Sequence, residues 1–199
     1  MVRRQALAIA ALVLAAPVTA KDTASLRPAD EARMAALDAH FGAAMRQALA
    51  GGAPQDIAVL AQAMAGSAGP VTGLAGEWRC RTLKLGEISP LVVYGNFDCR
   101  ITEAGPGRWE MQKLTGSQHT EGAIVAGPEG TLTYYGVGYV EGGPAVDYSA
   151  LPPDDQTAVE PGQTVAQPGI VEQVSETHTR VLFPDPILES RFDILYLTR

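Results

Sequence analysis

The sequence predicts an α+β chain that is mainly β: an N-terminal helical hairpin followed by an antiparallel eight-stranded meander, closed into a barrel or rolled as a strongly curved sheet. Three observations carry this. Apolar residues recur at helical spacing as far as Met64. After Pro70 the pattern changes to short β-rich runs between Gly/Pro turns. Glycines inside those runs, at Gly95, Gly122, Gly136 and Gly138, permit the bends or bulges that let a sheet curl.

The chain opens on a leader. Arg3 and Arg4 form a basic head, Ala6–Val18 is an almost unbroken apolar run, and Val18-Thr19-Ala20 supplies the small residues a signal peptidase requires. Residues 1–20 therefore read as a secretory signal peptide cut between Ala20 and Lys21. The apolar run is shorter than the roughly 18–20 residues needed to span a bilayer, so no anchor is expected in the mature form. No cysteine near the cut offers a lipid acceptor. The expected product is soluble and periplasmic or secreted.

Residues 21–70 form the helical preface. Pro28 suits a first turn, and Asp30 and Glu31 complement the positive end of the helix dipole. Met34, Leu37, Phe41, Met45 and Leu49 make one stripe, ended by Gly51-Gly52. A second helix from Pro54 carries Ile57, Leu60 and Met64 on one face.

Residues 71–199 hold the predicted strands: Leu74–Leu85, Leu91–Thr102, Arg108–Leu114, Thr120–Val125, Thr131–Val140, Ile170–Glu176, Thr179–Phe183 and Leu188–Leu197. Short connections favour a meander. One connection, residues 141–169, is long and acidic; Asp154, Asp155 and Glu160 lack calcium-loop spacing, so a solvated loop is expected.

Cys80 and Cys99 are the only cysteines, and in an exported chain an even count favours a disulfide over reduced core thiols. Alternation puts both on the apolar side of their strands. If Cys80 faces Cys99 in a simple hairpin, the turn tip falls at Ser89-Pro90, close to the turn signals of Gly86–Pro90.

Loss of the leader takes the net charge from −7 to −9 by removing Arg3 and Arg4. Such a surface repels phosphate backbones and anionic lipid headgroups, which argues against nucleic-acid binding. His40, His119 and His178 show no metal-ligand spacing, and no cofactor motif is present; Gly136-Val137-Gly138 lacks the third glycine of a dinucleotide fingerprint. Ser117 and His119 sit two apart, but no acid partner or nucleophile elbow accompanies them. Arg79, Arg81, Lys84 and Arg100 form a basic cluster; cross-strand pairing with Glu77, Glu87 or Asp98 is favoured over an anion-binding patch.

Gly76-Glu77-Trp78 at the start of the first strand resembles the lipocalin Gly-x-Trp signature, with Arg191 or Arg180 as the basic residue that would pack on the Trp. A resemblance covering most of the mature chain rests on Arg79–Gly86, Lys113–Gln118 and Phe183–Ser190. These segments resemble a bacterial exported family catalogued as domain of unknown function 4893. That resemblance implies an exported helical-preface and β-rich protein, with no activity to carry over. The expected function is a non-enzymatic barrel binding a small ligand or envelope component; the alternative is a protein-binding module, such as an inhibitor of a basic envelope-active enzyme.

Overall fold

The computed structural model describes residues 24–143, 146–154, 156 and 163–199. The expected leader, its cut between Ala20 and Lys21, and the loop residues Asp155 and Glu160 lie outside them. Three helices come first: α1 (Pro28–Ala35), α2 (Leu37–Gly51) and α3 (Pro54–Met64). The strands follow as β1 (Gly76–Gly86), β2 (Ser89–Val93), β3 (Phe97–Gly105), β4 (Arg108–Lys113), β5 (Gln118–Ala126), β6 (Leu132–Val140), β7 (Val165–Ala166), β8 (Gly169–Ser175), β9 (His178–Pro184) and β10 (Phe192–Thr198).

They form a closed antiparallel barrel of eight staves. Neighbours in the chain are neighbours in the sheet, and β10 returns to pair with β1 from Arg79 opposite Thr198 to Leu85 opposite Phe192. Two staves are broken. β2 and β3 pair with opposite halves of β1, and β7 and β8 with opposite halves of β6. The sequence predicts Leu91–Thr102 as one strand; Tyr94–Asn96 interrupts it.

This break corrects the expected hairpin register. The β1–β2 turn sits at Glu87-Ile88, with Gly86 opposite Ser89, rather than at Ser89-Pro90. Left-handed backbone at Gly86 (φ 78°) and Glu87 (φ 68°) tightens it. In the β1–β3 ladder Cys80 faces Phe97 and Cys99 faces Trp78, so the cysteines are diagonal neighbours and not a facing pair. They nonetheless form the disulfide, with Cα atoms 5.9 Å apart, because both side chains point into the barrel.

Strand alternation sorts the two faces. Trp78, Ile101, Met111, Ile124, Tyr134 and Leu197 are buried inward and fill one half of the barrel with side chains. Gly122 faces Gly136 across β5 and β6, where a Cβ on either would collide; one on Gly136 would lie 2.1 Å from the Tyr134 ring. The pair lets the two strands and that ring pack without intervening methyls. At the packed end Trp78 Nε1 donates to Leu74 O at 3.0 Å, and the Arg199 guanidinium lies 4.1 Å from the centre of its ring. Arg199 also donates to the carbonyls of Ala75 and Glu176. The basic residue on the Gly-x-Trp tryptophan is therefore Arg199, not Arg191 or Arg180.

The helices cover an outer face of the barrel. Leu83, Leu85, Leu91, Phe192 and Ile194 point outward into α2 and α3. The predicted helix from Pro28 to Gly51 breaks at Ala36 (φ −95°, ψ 12°). Phe41 and Met45 dock as their stripe predicts, with the Phe41 ring 5.2 Å from Phe192. Leu49 does not: it is 57% exposed, while Ala44 and Ala48 are fully buried. Small residues at the contact let the helix approach the sheet closely. Arg180 has a different task from the one the lipocalin resemblance implies: it donates to the carbonyls of Ala63, Ala65 and Gly66 at 3.1–3.3 Å, satisfying the end of α3.

α1 is tied to the long β6–β7 connection by a buried carboxylate. Asp30 accepts from Arg27 Nε at 2.6 Å and from the Tyr148 hydroxyl at 2.5 Å, and lies 3.1 Å from Arg33 Nε. Burial and the Asp30 contact push the Tyr148 phenol above its ordinary value. Among the described residues no helix is long and apolar enough to cross a membrane.

Candidate functional site

The half of the barrel away from Trp78 is lined differently. The same inward alternation that places Trp78 and Cys80 in the core carries Thr82 and Lys84 to the opposite end of β1. On β4 the series Trp109, Met111, Lys113 brings Lys113 inward, and on β10 the series Leu197, Leu195, Asp193 brings in Asp193. These residues surround a cavity of about 70 Å³ at the barrel mouth. Apolar walls come from Phe183 and Leu195, and the β9–β10 turn lays Pro186, Ile187 and Leu188 over one side. Thr120 and Tyr134, with hydroxyls 2.9 Å apart, form the boundary with the dry core.

The turn is positioned by charge. Lys84 Nζ lies 3.3 Å from Glu189 and 3.6 Å from Asp193, and Ser190 Oγ donates to Asp193 at 2.5 Å. Burial works against the Lys84 ammonium, yet the two carboxylates outweigh it and hold its pKa above the usual lysine value. Asp193 is raised by burial, against the pull of Lys84 and Ser190. Asp185 (φ 45°) and Glu189 (φ 69°) take left-handed backbone on either side of Pro186-Ile187-Leu188, and Asp185 N donates to Arg191 O at 3.1 Å to close the turn.

Lys113 has a different environment. It is 6% exposed, and its Nζ stands 3.8 Å from the centre of the Phe97 ring. It donates to Thr115 O at 2.7 Å and Gln118 O at 2.5 Å, which holds the β4–β5 turn. Among the described residues no carboxylate pairs with it. Burial lowers its pKa to about 8.

The residues singled out in the sequence fall as follows. His119 lines the mouth, its Nδ1 3.0 Å from Lys113 O and its ring stacked on Tyr139. Among the described residues no hydrogen bond links it to Ser117, whose carbonyl accepts from Glu141 N–H. The basic cluster divides. Arg79 pairs with Asp98, Arg100 with Glu77 at 2.6 Å, and Arg81 donates to Tyr94 O at 3.0 Å, all on the exterior. Lys84 points inward, so it does not share their patch. Arg191 pairs with Glu87 at the first hairpin. The main chain of the acidic loop meets the preface at Asp154, whose carbonyl accepts from Arg27 at 3.3 Å.

Sequence reasoning overlooked Lys113 and Asp193, although strand alternation assigns both to the inward face. A second, larger groove of about 480 Å³ lies over β4–β6, bordered by outward-facing Glu110, Glu121 and Tyr135 and by Tyr148. Most of its walls are outward-facing side chains, whereas the mouth draws mainly on positions inside the barrel.

The three sequence segments that carried the family resemblance meet at this mouth. Arg79–Gly86 supplies Thr82 and Lys84, Lys113–Gln118 supplies its two end residues, and Phe183–Ser190 supplies Phe183 and the covering turn. No curated protein and no solved structure matches the chain. A family model described as Domain of unknown function (DUF4893) matches residues 23–197, from before α1 to within β10. A match over that span includes the helices and all eight staves, and the chain belongs to the DUF4893 family.

Proposed function

We propose that the chain is an exported, non-enzymatic barrel that binds a small polar ligand at its open mouth. The observation that carries this reading is the convergence of three distant segments on a cavity that sets charged side chains among apolar walls, above an otherwise packed interior. Its volume of about 70 Å³ has room for roughly five water-sized groups, which favours a small ligand. The leader pattern and the Cys80–Cys99 bridge support an oxidising compartment outside the cytoplasm.

Gly138 lines the mouth, and a Cβ there meets the flexible end of Gln167 at 3.1 Å, so Gly138→Val narrows the cavity. A ligand-observed NMR screen of small polar metabolites should give binders to the wild type that Gly138→Val loses. Binders that persist in a folded Gly138→Val protein, or an empty screen, would reject the mouth as the site.

The second reading, a module that binds a basic envelope protein, draws on the acidic surface and on Ile88, 81% exposed at the first hairpin tip. It expects partner capture that weakens steeply with salt. Small-ligand binding at the mouth does not require that dependence.

A further inference from the structure

The mouth holds two ammonium groups, and the fold treats them differently. Lys84 faces two carboxylates, Glu189 at 3.3 Å and Asp193 at 3.6 Å. Among the described residues Lys113 has no carboxylate within ion-pair distance, and its partners are two backbone carbonyls and the Phe97 ring. Two of its three N–H donors go to those carbonyls, and the ring is a weak partner for the positive charge. Burying an unpaired cation costs several kcal/mol unless an anion compensates it. Among the described residues no carboxylate lies within ion-pair distance of Lys113, so an anion entering the mouth would supply that compensation.

We propose that the mouth takes a short-chain carboxylate of two to four carbons, its head on Lys113 Nζ and its hydrocarbon end against Phe183 and Leu195. This rests on the mouth being a ligand site. One unpaired cation matches one negative charge. A dianion would carry an excess charge into a cavity that Asp193 already lines. The small volume of the cavity favours a short chain. The apolar walls favour a ligand with a hydrocarbon end over inorganic phosphate, which is polar on every side.

The other titratable groups around Lys113 are Lys84 on β1, His119 on β5, Tyr139 on β6, Asp193 on β10 and, beside Lys84, Glu189 in the β9–β10 turn. Lys84 and Tyr139 are both held above their ordinary values, so they keep their protons as the Lys113 ammonium discharges near pH 8.

The test is amide-resolved NMR of the mature chain titrated with sodium propionate, propionamide and inorganic phosphate. Lys113→Met is measured alongside. Propionate should shift amides around Lys113, Thr120 and Leu195. Its affinity should exceed that of propionamide and of phosphate at least tenfold, fall at least tenfold in Lys113→Met, and fall about tenfold in the wild type between pH 7 and pH 9.5. The pH series keeps the test decisive if Lys113→Met does not fold. Equal binding of propionamide, preference for phosphate, or a pH-independent affinity would overturn the carboxylate assignment while leaving the mouth as a ligand site. No shift at the mouth with any of the three compounds, together with an empty metabolite screen, would overturn both.

Discussion

Raising the pH from 7.5 to 9.5 should stabilise the fold through Lys113. The side chain is almost fully buried, and burial brings its pKa from 10.5 to about 8. In that window the folded chain gives up the proton while the unfolded chain keeps it. Stability rises with pH wherever the unfolded state binds more protons. Integrating between the two pH values gives about 2 kcal/mol, or a rise of roughly 4–8 °C in Tm for a chain of this size. The raised Asp193 carboxyl opposes this rise wherever it keeps a proton that the unfolded chain has lost, and Lys113→Met shares that effect. Lys84, Tyr134 and Tyr148 are raised, so what they contribute is lost only above their ordinary values near pH 10. His178 is lowered by burial, and its gain with rising pH is complete below the window. Urea unfolding followed by tryptophan fluorescence at the two pH values gives the difference directly. Lys113→Met removes the titration while sharing every other group, so its stability should rise about 2 kcal/mol less. Parallel pH profiles for the two proteins would refute the buried ammonium.

Three further outcomes test other parts of the structure. Replacing Cys80 and Cys99 by alanine should cost about 3 kcal/mol for a loop of this length, lowering Tm by roughly 6–12 °C; calorimetry reads it, and non-reducing peptide mapping should show no free thiol in the parent. Gly136→Ala should cost at least about 2–3 kcal/mol, because its Cβ would lie 2.1 Å from the Tyr134 ring, whereas Gly130→Ala at an exposed turn meets no atom and should cost about 1 kcal/mol from its left-handed backbone alone. Asp30→Ala removes the carboxylate that the buried Arg27 guanidinium and the Tyr148 hydroxyl share and should cost about 3–5 kcal/mol, with faster proteolysis between Tyr148 and Asp154 as the preface lets go of the loop.

The barrel was legible because its staves alternate and its turns are short. Leu132–Val140 and Phe192–Thr198 fall within a residue or a few of where period-two patterning puts them. The interruption at Tyr94–Asn96 was hidden because apolar alternation continues from Leu91 through Ile101, and Gly95 alone does not distinguish a bend from a break. That hidden break shifted the cysteine register by two residues while leaving both on the inward face, so the bridge was right and its geometry was not. In α2 the apolar stripe overstated Leu49 and passed over Ala44 and Ala48, since close helix–sheet packing selects small side chains that a hydrophobic pattern underweights. The mouth could not be read from local pattern, because Lys84, Lys113 and Asp193 meet only when the first and last strands close. Their inward parity was nonetheless available: each continues a core-facing series as a charge. A charged residue in register with the core is the signal that points to the site.

The most direct measurement of the central claim is native mass spectrometry of the protein purified from its own cells at neutral pH. The account predicts a retained mass small enough for the 70 Å³ mouth, on the order of 60–120 Da, present in the wild type and absent from Gly138→Val. A bare protein mass, or an adduct that Gly138→Val retains, would contradict it.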